Sequence, residues 1–263
     1  MDKEIIIKTT QVGVELNDSY FEGATIYATH IDQLSNWHNS VSALERSQPG
    51  EEYLSKCKSL KSLIGLDSLL CIAITDLGLI TKELFVSKKI LQKIFYIKHA
   101  YLVIYETFYN LNSSSDKRKT LKDLVTNMAN PDLSKKFGEI TYALREFSKN
   151  FGLESKIADV RNALAGHIHK DFNNWYALVI ALDGEETGKM ISEFLKVISP
   201  LQELSRTLLQ AEMHDLDKIN QRIDDEFDQT VSKLEKIFNA VNKKIPDKDK
   251  HFDIGLLKNI FDK

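Results

Sequence analysis

Eight apolar residues, Leu216, Ile219, Ile223, Phe227, Val231, Leu234, Ile237 and Val241, follow one another at intervals of three and four with no glycine or proline between them. Only a helix returns such positions to one face, because its period of about 3.6 residues lies between the two intervals. The segment therefore predicts a long amphipathic helix that either rests on its own bundle or pairs with another helix in a coiled coil. The same period recurs upstream. Leu54, Leu60, Leu63, Leu66, Leu70 and Ile74 mark a helix opening at Glu51 and Glu52. Ile90, Ile94, Ile97, Tyr101, Ile104, Tyr105 and Phe108 mark another over 87–111, and Phe137, Ile140, Leu144 and Phe147 a third. The fold class that follows is all-α.

Breakers punctuate these runs. Ser47-Gln48-Pro49-Gly50 closes a helical stretch predicted over 17–44, and Asn112-Ser113-Ser114-Ser115-Asp116 precedes a short helix over 120–128. Asn130-Pro131-Asp132 is a helix start and Asn150-Phe151-Gly152 a helix stop. A further helix is expected from Glu154, an apolar run resumes at 175–182, and Asp183-Gly184 interrupts it. Pro200 is expected to kink or break the last large element, 185–242, after Ile198. The chain thus divides into an N-terminal extension (1–50), a helical bundle (51–210) and a long C-terminal helix with a tail (211–263). The extension includes 4–16, rich in isoleucine, valine and threonine, which suits a short strand or an extended arm.

Composition narrows function by exclusion. A net charge of -3 on 263 residues provides no overall basic field, so any nucleic acid would have to be met by a local patch. Two cysteines, Cys57 and Cys71, make neither a disulfide framework nor a cysteine zinc site, which points to a reducing cytoplasm. The start, Met1-Asp2-Lys3-Glu4, lacks the basic region of an export signal. The apolar stretch 63–80 contains Asp67 and Asp76, each costly at a bilayer centre, and reads as a buried helix with no membrane partner. No phosphate-cradling glycine loop, nucleophile motif or zinc spacing is present, so neither a cofactor nor a metal is expected.

One segment carries chemistry: Asp159-Val160-Arg161-Asn162-Ala163-Leu164-Ala165-Gly166-His167. A histidine titrates near neutral pH and can move a proton, while an arginine holds phosphate oxygens in a bidentate fork. The spacing arginine, polar residue, four residues, histidine resembles the signature of the HEPN superfamily, with Arg161, Asn162 and His167 in the three places. That resemblance implies an antiparallel helical bundle and a metal-independent endoribonuclease, of a kind similar to toxin, toxin-antitoxin or phage-defence components. It implies RNA as substrate, a homodimer whose composite cleft takes the motif from both subunits, and an antitoxin or regulatory protein as a possible partner. Arg161 and His167 would be catalytic and Asn162 auxiliary.

Helical geometry bears on that composite cleft. On a straight helix with Ile157, Val160, Leu164 and Ile168 as its buried stripe, Arg161 and His167 fall on opposite borders, about 9 Å apart along the axis. One copy alone does not bring them together. A two-fold axis would repeat both residues around one cleft. The alternative for each residue is structural: Arg161 pairing with Asp159 or Glu154, and His167 capping a helix end.

Secondary RNA contacts are His169, Lys170, Lys98, Tyr101 and Tyr105, since aromatic rings beside cations can stack bases. The competing account of the tyrosines is core packing, beside Ile97, Ile104 and Phe108. His167 and His169 are two apart and diverge by about 200° on a helix, which disfavours a metal pair. The basic run Lys117-Arg118-Lys119 reads as a solvated face. Two other functions stay open: a non-catalytic HEPN-type module that binds a nucleotide or protein partner, and a helical scaffold working through its C-terminal helix.

Overall fold

The computed structural model describes residues 26–27, 30–46, 50–111, 116–162, 177–179 and 181–242. The protein is all-α, and the described residues contain no strand. Helix α1 covers 30–46, α2 Glu51–Val86, α3 Ile90–Asn110, α4 Asp116–Asn127 and α5 Pro131–Phe151. A π-helical turn, Leu153–Ile157, leads into the short α6, Ala158–Val160, and α7 runs Gly184–Asn242. The chain forms two compact units, Met1–Glu212 and Met213–Lys263, divided within α7. The arm expected over 4–16 lies outside the described residues.

Burial decides why α2 is central. Its sequence is apolar on most faces, and Cys57, Leu60, Leu63, Ile64, Leu66, Leu70, Leu77 and Ile80 are all buried. A helix apolar nearly all round must be enclosed, and each such aliphatic side chain contributes about 1.5–3 kcal/mol on burial. Helices α3 and α4 pack on it. Among the described residues α2 is the helix long and apolar enough to cross a membrane, with a mean hydropathy of 2.0 over an 18-residue window, 61% of which is buried inside the fold.

The first part of α7 meets α2 through the Gln202–Asp67 hydrogen bond and α5 through the Phe194–Phe147 ring pair, and its Ile191, Phe194, Ile198, Leu201, Leu204 and Leu208 are buried. It starts where Asp183 accepts hydrogen bonds from the backbone N–H of Glu185 (2.7 Å) and Glu186 (3.0 Å), a side-chain N-cap. Pro200 does not break this helix; it sits inside a continuous one. An internal proline costs about 3 kcal/mol through its missing donor and its clash with the preceding turn. Burial of Ile198 and Leu201 on either side opposes that cost. In the second unit, residues 213–242 are helical, and Asp215 pairs with Lys218 at 3.4 Å. The side chains of Ile223, Phe227, Leu234, Ile237 and Val241 lie outside the description.

Inside the first unit, the α2 carboxylate of Asp67 is fully buried. Gln202 Nε2 donates to its Oδ1 at 3.0 Å, Arg206 Nη2 lies 4.0 Å from Oδ2, and Oδ2 has no hydrogen bond. Arg206 also sits 2.6 Å from His30 Nδ1. Arginine only donates, so that nitrogen must present its lone pair. Burial pushes Asp67 above the ordinary carboxylate value, against the pull of Arg206 and Gln202. Burial and the nearby Asp67 push the Cys71 thiol up to about 12, and burial with Arg206 pushes His30 down.

A carboxylate with a raised folded pKa binds its proton more tightly folded than unfolded. Its contribution to stability is full below the ordinary value of 3.8 and is lost as pH rises through the folded value. Asp67→Asn removes that titration. The urea midpoint of the wild type is therefore expected to fall relative to Asp67→Asn as pH increases from 3.8. Parallel midpoint curves for the two proteins across that range would contradict it.

Candidate functional site

The motif segment begins at a turn that α5 prepares. Asn130 caps α5 by accepting from the N–H of Asp132 (2.9 Å), with Pro131 at its first position, and Gly152 ends it at φ 62, ψ 52. That left-handed conformation suits glycine, and a Cβ there would meet Ser155 Oγ at 3.0 Å. Beyond it the backbone is π-helical, with Ile157 N–H donating to Gly152 O at 3.1 Å across five residues. The straight α-helix expected from Glu154 is thus corrected at its start. One extra residue per turn rotates the following side chains away from the 100° count. Ile157 and Val160 are nonetheless buried, and α6 packs on α3.

This packing carries Arg161 to α3. Its Nε and Nη2 both donate to Glu106 Oε1, at 2.9 and 2.5 Å, and its Nη1 donates to Asn162 Oδ1 at 2.9 Å. The guanidinium lies over the Tyr105 ring, 5.3 Å from its centroid, a cation–π contact. Neither Asp159 nor Glu154 is its partner; Glu106 is, 55 residues away. A guanidinium has five N–H groups, so three are committed to described partners and one on each terminal nitrogen is left over. The side chain is 28% exposed, open enough for a ligand to reach.

Tyr105 also lines a cleft of about 230 Å³ with Phe108, Tyr109, Leu153, Glu154 and Ala158. Tyr105 and Tyr109 are near parallel, 14° between planes with centroids 6.3 Å apart, and Tyr109 is 65% exposed. Motif arginine, Asn162 and an aromatic cleft are therefore one neighbourhood.

Other expected contacts fall elsewhere. Tyr101 is a correction: only 2% exposed, it belongs to the core, where a base could not reach its ring. Its hydroxyl bonds Thr187, and burial pushes the phenol up. Lys98 lies on α3, two turns before Tyr105 and about 10 Å away along the axis. His167, His169 and Lys170 lie outside the described residues, as do Leu164, Gly166 and Ile168. Glu106 had no signal in the sequence, being one acid on an apolar helix. Arg118 is a second correction, since it is half-buried and its Nη1 donates to Leu111 O at 3.0 Å. Among the described residues no three His, Cys, Asp or Glu side chains converge where a metal would sit.

Comparison with protein-family models, with curated proteins and with solved structures found no match.

Proposed function

We propose that the chain is a metal-independent endoribonuclease of HEPN type, working in the cytoplasm as a homodimer with a composite cleft, as a toxin or phage-defence component. The observation that carries this is Arg161, held by Glu106, Asn162 and Tyr105 with a donor left on each terminal nitrogen. An arginine fixed in that way meets a phosphate without reordering its long side chain, which saves rotamer entropy. In the reaction the ribose 2′-oxygen forms a bond to phosphorus and the bond to the 5′-oxygen breaks. His167 accepts the 2′-hydroxyl proton in this scheme, the copy from the other subunit protonates the departing 5′-oxygen, and Arg161 stabilises the charge on the phosphate oxygens. The products are a 2′,3′-cyclic phosphate and a 5′-hydroxyl.

The test is cleavage of RNA by the purified full chain with a chelator present, followed by identification of the product ends. His167→Ala is expected to lower the rate by about 10²–10⁴-fold, the usual contribution of general acid–base catalysis. Cleavage unchanged by that substitution would refute the assignment. Glu106 supports a second function, a non-catalytic module for a nucleotide or protein partner, because it already neutralises one edge of the guanidinium. Absence of cleavage together with nucleotide binding that requires Arg161 would select it.

A further inference from the structure

The aromatic cleft continues into a second, larger depression. A groove of about 490 Å³ is lined by Phe108, Arg118, Arg145, Ser148, Lys149, Gly152, Leu153, Glu154 and Ser155, and shares Phe108, Leu153 and Glu154 with the cleft. Three cations from two helices face it: Arg118 of α4 and Arg145 and Lys149 of α5, the latter two one turn apart. We propose that this groove binds the phosphate backbone of a single-stranded RNA whose bases lie in the adjoining Tyr105–Tyr109 cleft, a binding track that rests on the ribonuclease assignment.

Several observations converge on that ligand. Arg145 and Lys149 are exposed and have no ion-pair partner among the described residues. Arg118 is pushed below the ordinary guanidinium value by burial and by its neighbour Arg145. An anion in the groove offsets the repulsion between these two guanidiniums. The hydroxyl of Ser148 adds a neutral donor to the same wall, whereas that of Ser155 donates to Gly152 O at 3.3 Å.

The ligand also has to be elongated and partly aromatic. Cleft and groove together exceed what one phosphate fills, and the exposed face of Tyr109 suits base stacking, which is indifferent to sequence. The walls lead toward the reactive segment. Ala158 lines the cleft three residues before Arg161, whose guanidinium covers Tyr105 on the same cleft. A strand bound in the groove would therefore be delivered to the motif. Glu154, on the shared wall, is the opposing feature: its carboxylate repels a phosphate and would weaken the track.

The test uses the full chain and a fluorescent single-stranded RNA of about twelve nucleotides, within the usual site size. It is 2′-O-methylated so that it cannot be cleaved, and its binding is followed by anisotropy from about 50 to about 200 mM salt. Each backbone contact to a single strand contributes about 0.7 to the slope of log affinity against log salt, so Arg145→Gln with Lys149→Gln is expected to lower that slope by about 1.4. Near about 150 mM salt this corresponds to about tenfold weaker binding. Glu154→Gln is expected to bind more tightly than wild type. Both changed arginine and lysine positions are exposed, and circular dichroism verifies the fold.

Wild-type slope in the double variant overturns the track, as does absence of RNA binding by the wild type. Binding of ATP that depends on Arg145 and Lys149, with none of the strand, overturns it in favour of a mononucleotide. The two proposals separate through unmodified RNA. Cleavage with an unaltered salt slope in the double variant removes the track alone; groove-dependent binding without any cleavage removes the ribonuclease alone.

Discussion

Arg161→Ala is expected to lower RNA cleavage by about 10²–10³-fold, the range for losing one preorganised donor to a developing negative charge. Its effect on stability is expected to be small. Glu106 is 42% exposed, so solvent screens the ion pair and its loss changes folding by about 0–1 kcal/mol. Arg161→Lys sharpens the experiment, because lysine keeps the charge but cannot donate to Glu106 and Asn162 at once while offering a two-donor edge to phosphate. It should therefore recover little of the lost rate. Single-turnover cleavage with thermal melting of the same samples measures both effects. Full activity in Arg161→Ala would exclude the residue from catalysis, and a large fall in melting temperature would make it a structural tie.

Phe194→Ala is expected to destabilise the protein by about 3–5 kcal/mol. The ring is 0% exposed and meets Phe147 with centroids 4.9 Å apart at 46°, while Phe147 in turn meets Phe151 at 4.9 Å. Those rings join α7 to the end of α5. A truncated Phe194 leaves a cavity that the close-packed helices fill only in part, and the aromatic contacts go with it. Phe194→Leu keeps most of the volume and should cost about 1.5 kcal/mol or less. Urea denaturation followed by helical ellipticity tests the pair. Equal midpoints for wild type and Phe194→Ala would mean that this aromatic cluster is not part of the cooperative core. Since Phe151 immediately precedes Gly152 and the π turn, the variant should also lose activity beyond what its unfolded fraction explains.

The helices were legible because their signals are local. Asn130, Pro131 and Gly152 mark the two ends of α5 by rules that need no neighbour: a side-chain acceptor, a residue with no donor to lose, and a backbone free to turn left-handed. The central position of α2 was legible from its leucines. Pro200 was not, because its local cost is clear but the buried Ile198 and Leu201 that oppose it depend on tertiary packing. Tyr101 and Tyr105 show the same division. Four residues apart on one helix, they look alike in sequence, yet one is sealed beside Thr187 and the other lines an open cleft.

The sequence by itself thus determined the all-α class and most helix ends, because hydrophobic period, caps and breakers act over a few residues. It also offered Arg161, Asn162 and His167 as candidate site residues. Only the tertiary structure decided what Arg161 touches and which cations share a groove. Glu106 comes from 55 positions away, and Arg118 and Arg145 line one groove from two helices. Side-chain contacts at such separations are set by how helices pack, which no local pattern encodes.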